Sequence, residues 1–308
     1  MSRSARVLLH LLAFAAGWIL VQGIVESMAG PAFAWLSRVL GEPVPMFPFS
    51  MLAGAVGGSW LGLNLLEVAS ARDRAVASGY SRWGEPGFFT RLGAGRPAWQ
   101  TRRLLQGTAL GATAMLVTAL LLWLPGWLRF EPSGAFDSMA GDTWGAVAWR
   151  LLVILAPAAL WEEVVFRGYL YTVASEAAGL QVARISTSVV FGLVHVMNPG
   201  ATLLTTSIVM LAGLCLVQVR ELLGLPAAWL AHLAWNWVMA AVLHVAVSGQ
   251  PFNAPGYRAV ARGPTWMSGG SWGPEGGLMA AFVLAAGAWA GWRAAHRPEA
   301  NTAVVTGT

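Results

Sequence analysis

The chain contains no lysine; all 19 of its basic residues are arginine. It has a single cysteine, Cys215, and only 11% charged residues, where a soluble domain carries about 25%. Each shortage excludes something. One cysteine leaves no intramolecular disulfide and no Cys-based zinc knuckle. So little charge, beside 56% hydrophobic residues and a mean hydropathy of +0.60, excludes an ordinary soluble domain and implies a polytopic membrane protein. A net charge of +5 would suggest nucleic acid in a soluble protein. Here the arginines fall mainly between apolar segments, where membrane topology accounts for them, so no nucleic-acid partner is expected. There is no internal repeat and no low-complexity tract.

What the chain does have is long apolar stretches. Measured against the roughly 20 residues a span needs, they lie near 7–28, 44–66, 104–128, 147–172, 183–199, 202–218, 226–247 and 277–295. The reading is all-α: a transmembrane helical bundle of about eight spans, the fifth and sixth being the shortest and closest together. Uniformly apolar segments of this length do not suit barrel strands, and lipid leaves no other way to satisfy the backbone. The first segment follows an arginine-containing start but is too long for a cleaved signal's apolar region, so it is read as a retained span.

The stretch from Glu67 to Arg103 holds Arg72, Arg74, Arg82, Arg91, Arg96, Arg102 and Arg103 against three acids, and reads as a basic loop. The stretch 129–146 holds Arg129 against Glu131, Asp137 and Asp142. The positive-inside rule puts the basic loop and both termini in the cytoplasm of a multi-pass protein of a plasma or bacterial inner membrane. Tryptophans such as Trp123, Trp127, Trp144 and Trp229 stand near span ends and read as interface anchors. Residues 249–276, rich in glycine, read as a flexible outer loop.

Ionisable groups inside spans are costly and need a reason. His10, Glu26, Arg150 and His244 stand near span ends, where side chains reach the interface. "WEEVVFRGYL" at 161–170 is different. Glu163 and Arg167 are four apart in the favoured order for an intrahelical ion pair, and Glu162 then points about 100° away. On the next span "FGLVH" places Phe191 and His195 on one face; on the seventh, "HLAWN" does the same for His232 and Asn236. A rise of about 1.5 Å per residue puts Glu162, His195 and His232 between the bilayer midplane and the cytoplasmic surface, Glu162 close to that surface. A carboxylate, two histidines and a carboxamide in one cavity suit activation of water, with Glu162 as base and His195, His232 and Asn236 orienting water, stabilising an oxyanion or holding a metal. A buried polar network joining helices, a non-catalytic immunity or scaffold protein, and a proton-coupled transporter use the same residue types.

In this order the three segments resemble the CPBP family of intramembrane proteases, which includes the type II CAAX prenyl endopeptidases and bacterial relatives linked to bacteriocin processing and self-immunity. EExxxR is matched by Glu162, Glu163 and Arg167, FxxxH by Phe191 and His195, and an HxxxN-type motif by His232 and Asn236. The resemblance implies a CAAX-protease-like helical core over 147–247. Residues 1–146 are then N-terminal helices and a basic loop, and 248–308 an outer loop, last span and short tail. It implies peptide-bond hydrolysis by water activated by Glu162 and His195, with His232 and Asn236 lining the site and Glu163, Arg167 and Phe191 in support. Two histidines and a carboxylate, His195, His232 and Glu162, would suit zinc or another divalent ion, while a metal-free glutamate mechanism is also argued for such proteins. The expected partners are the lipid bilayer and a peptide or membrane-protein substrate. An all-arginine, alanine-rich chain suggests a bacterial protein, for which a prenylated substrate is not the expectation.

Overall fold

A computed structural model describes residues 2–40, 44–78, 87–133, 143–252 and 256–295. Helices α1 (Arg3–Leu40) and α2 (Phe47–Ser78) form a hairpin; α3 (Phe88–Arg91) and a 3-10 turn (Arg96–Trp99) lead to α4 (Thr101–Trp123) and strand β1 (Leu128–Pro132). Helix α5 (Trp144–Glu163) continues through a π-helical stretch, Val164–Leu170, into α6 (Tyr171–Ala178). Then come α7 (Leu180–Val194) with a 3-10 turn at His195–Met197, α8 (Leu203–Leu223) and α9 (Leu225–Trp237). A second π-helical stretch, Val238–Leu243, extends α9, and β2 (Tyr257–Ala261), α10 (Thr265–Ser268) and α11 (Leu278–Ala295) follow among the described residues.

Within the described residues, five helical stretches are long and apolar enough to cross a membrane: Ser4–Val39, Thr101–Trp123, Trp144–Ala178, Leu180–Met197 and Leu203–Leu223. The fifth and sixth expected spans are among them. Helix α2, α9 with its extension, and α11 occupy the other expected segments. The protein is thus a polytopic helical membrane protein, with side chains such as Ile19, Leu105 and Phe282 exposed as lipid-facing residues are.

Three tryptophans fix α5 against α9. The indole N–H of Trp229 donates to the Ala156 carbonyl at 2.9 Å, that of Trp237 to Ala148 at 3.0 Å, and that of Trp144 to Ala241 at 2.8 Å. Each step down one helix is matched by a step up the other, the signature of an antiparallel pair. So Trp144 and Trp229, expected as interface anchors, also join two helices. Helix α4 closes on the other side of α9 through small residues. A Cβ on Gly107 would stand 2.2 Å from the Ala227 carbonyl oxygen, and one on Gly111 1.9 Å from that of Ala231. Only glycine at this four-residue spacing lets α4 lie on that row of carbonyls. The register of α9, and of His232 with it, is held from both flanks.

Two reversals use single residues in the left-handed region that glycine tolerates: Gly179 (φ 88°) between α6 and α7, and Gly224 (φ 101°) between α8 and α9. Two expectations are corrected here. The basic stretch from Glu67 is helical as far as Ser78, because α2 runs on; Arg82 lies outside the described residues. The expected flexible outer loop is built: β2 pairs antiparallel with β1, Leu128 opposite Ala261, and α10 and two 3-10 turns follow. Polar backbone in a glycine-rich segment is satisfied by that pairing, which no periodicity announces.

Candidate active site

The end of α5 delivers adjacent carboxylates to different surroundings. Glu163 is fully buried and its Oε1 accepts from Arg167 Nη1 at 3.0 Å. Arg167 is equally buried, with its guanidinium carbon 3.9 Å from the centre of the Phe191 ring. A π turn displaces backbone hydrogen bonds, and here the Arg167 carbonyl accepts from Arg220 Nε at 3.1 Å. Tyr169, in the same stretch, donates its hydroxyl to the His10 carbonyl at 2.6 Å and stacks on Phe14 at 4.4 Å. The N-terminal hairpin therefore buttresses the segment behind the carboxylates.

His195 ends α7, and its Nδ1–H donates to the Phe191 carbonyl at 2.7 Å. His232, on α9, donates Nδ1–H to Glu163 Oε1 at 2.9 Å. A carbonyl and an ionised carboxylate only accept, so these partners assign the proton to Nδ1 in each ring and leave Nε2 for other duty. Both Nε2 atoms stand 4.0 Å from Glu162 Oε2. That oxygen is buried and has no hydrogen-bond partner in the protein. Phe191 meets both rings edge-on, at 4.7 Å from His195 and 6.2 Å from His232.

The structure thus gathers Glu162, Glu163, Arg167, Phe191, His195 and His232 in one cluster. Asn236 stands apart from their hydrogen bonds but lines the same cavity as both histidines. The bond from Glu163 to His232 was not anticipated: Glu163 was assigned to Arg167 alone, because sequence spacing shows partners on the same helix and not those across the bundle. Helix continues from Trp144 to Ala178, so Glu162 stands near the middle of that helical stretch, about 27 Å from one end and about 24 Å from the other. The polar residues Thr172, Ser175 and Glu176 disguise that continuation in the sequence.

The cavity, about 420 Å³, extends from His195, His232, Trp235 and Asn236 along α8 and α11 as far as Leu223 and Gly291. Its walls are mainly apolar. Two residues that sequence reasoning missed, Ser248 and Glu275, line it near the histidines. The one signal for Glu275 was its being the only acid between Glu221 and Glu299.

Glu162, His195 and His232 have the donor types of a zinc site, but not its spacing. Ligands about 2.0–2.1 Å from a tetrahedral zinc stand about 3.3–3.4 Å from each other. Both imidazole-to-carboxylate separations here are 4.0 Å, and no group of three such donors among the described residues has metal-holding geometry. A water oxygen about 2.8 Å from each atom fits that separation at an angle slightly above 90°.

Residues 144–238, about a third of the chain, match the family described as Type II CAAX prenyl endopeptidase Rce1-like. No curated protein and no solved structure matches the chain. The matched region runs from the first residues of α5 into the second π stretch, and contains every residue of the cluster. The chain thus carries an Rce1-like domain over α5 to α9, and this match supports a CPBP family intramembrane protease.

Proposed function

We propose that the protein hydrolyses a peptide bond within the membrane, with water activated by Glu162 between His195 and His232. The observation that carries the proposal is the Glu162 Oε2 atom: buried, unbonded in the protein, and 4.0 Å from two imidazole nitrogens. Water offers two protons to these three acceptors, so one member of the set must itself arrive protonated. His232, whose other nitrogen donates to Glu163, is placed to present that N–H. Glu162 takes a proton from water as the oxygen bonds to the scissile carbonyl carbon. The resulting oxyanion is stabilised by His232, with the Asn236 amide at the same cavity wall. The C–N bond then breaks as the proton passes from Glu162 to the departing nitrogen. No step is routed through a metal, because the donor spacing does not fit one.

The substrate is a peptide or membrane-protein segment with an apolar group seated in the cavity. We assign the site's opening to the cytoplasm. The support is that the cavity reaches Leu223, whose carbonyl accepts from Arg103, at the arginine-rich end of the bundle.

Comparative membrane proteomics of wild type against Glu162→Gln tests the proposal. A peptide terminus present in wild type and lost in the variant is expected, with cleavage of that substrate by purified protein falling on the order of 10²–10⁴-fold and surviving chelation. Full cleavage by Glu162→Gln would overturn the assignment. Retained biological function without any cleavage would favour a scaffold or immunity protein.

A further inference from the structure

Glu275 lies in a 3-10 turn, Pro274–Gly276, just before α11, outside the region that the family matches. Its two carboxylate oxygens go to different places. Oε1 accepts from the Ser248 backbone N–H at 2.5 Å and from the Ser248 hydroxyl at 2.9 Å. Oε2 accepts from the indole N–H of Trp235 at 2.8 Å. One arm continues to the backbone of His195, and the other ends on the helix turn that carries His232. The Ser248 carbonyl accepts from the Asn198 side-chain amide at 3.0 Å, and the Asn198 backbone N–H donates to the His195 carbonyl at 3.0 Å. Trp235 is on α9, less than one turn beyond His232 and next to Asn236.

Ser248 adds a second, independent observation. Its φ of 48° is one of two left-handed values at non-glycine residues among those described. Such a conformation persists when its surroundings impose it, and clusters where geometry matters. Here the backbone N–H, the hydroxyl and the carbonyl of Ser248 are all held, two of them by Glu275. A carboxylate beside an apolar cavity is a costly way to fasten a loop. It is the group that can accept from two directions at once, and those directions lead to the backbone of His195 and to the turn of α9 that carries His232.

We infer that Glu275 is a positioning residue: it sets the separation of His195 from His232, and so the geometry both present to Glu162. The inference rests on the proposal that these histidines act with Glu162, but its test does not need catalysis. Purified full-length protein, carrying ¹⁵N-labelled histidine in detergent micelles, reports each ring separately by NMR. Trp235→Phe removes only the α9 arm and is expected to shift the His232 ring signals while leaving those of His195. Asn198→Ala cuts the other arm and is expected to shift His195 while leaving His232. Glu275→Gln is expected to shift both, Glu275→Asp to restore them in part, and His10, on α1, to stay fixed throughout. Once a substrate is in hand, Glu275→Gln is expected to lower kcat on the order of 10–100-fold with KM little changed, as loss of an outer hydrogen-bond partner does. Unmoved His195 and His232 signals in Glu275→Gln overturn the inference. So does a pattern in which either single-arm variant moves both rings, or moves His10 with them, since the carboxylate would then hold only the fold. Either result leaves the Glu162 assignment standing, and full cleavage by Glu162→Gln leaves the positioning result readable.

Discussion

Two of the three site-bearing helices, α5 and α9, turn from α to π soon after the residues that matter, and the two π stretches differ in what they hold. Val164–Leu170 follows the Glu162–Glu163 pair, contains Arg167, and is buried from Val164 to Tyr169. Val238–Leu243 follows His232 and Asn236, is wholly apolar, and ends at His244 in the left-handed region (φ 53°). Each is tied by a tyrosine hydroxyl to a backbone carbonyl. Tyr169 reaches out of the first stretch to His10, while Tyr257 reaches into the second, to Val242, at 2.8 Å. A π turn leaves backbone groups that need partners from elsewhere. In the first stretch those partners bring charge into the core, so the segment is electrostatically committed. In the second they do not, and the stretch serves to end the helix and hand the chain on to Ser248.

The sharpest way to break this comparison is to remove the charge from the first stretch. Arg167→Met leaves Glu163 buried without its cation and is expected to cost about 3–5 kcal/mol, measured by unfolding in detergent. Adding Glu163→Gln to it should recover part of that loss. Equal stability of Arg167→Met and wild type would mean that the pair is not what commits the segment. Next in size, Gly111→Leu forces α4 off the Ala231 carbonyl and moves the helix that leads into the second stretch. A loss of about 1–3 kcal/mol is expected, with thermal unfolding as the measure and a fall in cleavage as His232 shifts. The smallest effects compare the tyrosines. Tyr169→Phe, fully buried, should cost about 1 kcal/mol, and Tyr257→Phe, partly exposed, about 0.5 kcal/mol. The reverse order would show the second stretch to be the more constrained.

How much of this was legible depends on the kind of signal. Glu162, Glu163, Arg167, His195 and His232 stood out because ionisable groups in apolar runs have few innocent explanations. The Glu163–Arg167 pair was readable because both partners share one helix. The Glu163–His232 bond was not, since nothing in a linear spacing reports which helices face each other. The π stretches were invisible because they change hydrogen-bond register without changing composition. Helix continuation past Leu170 was hidden by Thr172, Ser175 and Glu176. Glu275 was overlooked in a glycine-rich segment because its partners, Trp235 and Ser248, come from parts of the chain with no motif.

By itself the sequence determined the solvent and the vocabulary: apolar length demands a membrane bundle, and the few charges within it name the groups able to do chemistry. Tertiary structure decided their grammar. For His232 the nitrogen that faces Glu162 follows from the Glu163 carboxylate of another helix, and for His195 from the Phe191 carbonyl of its own. How far each stands from Glu162 is decided across the bundle. A separation of 4.0 Å is set by packing across the bundle, where positions distant in the chain become neighbours.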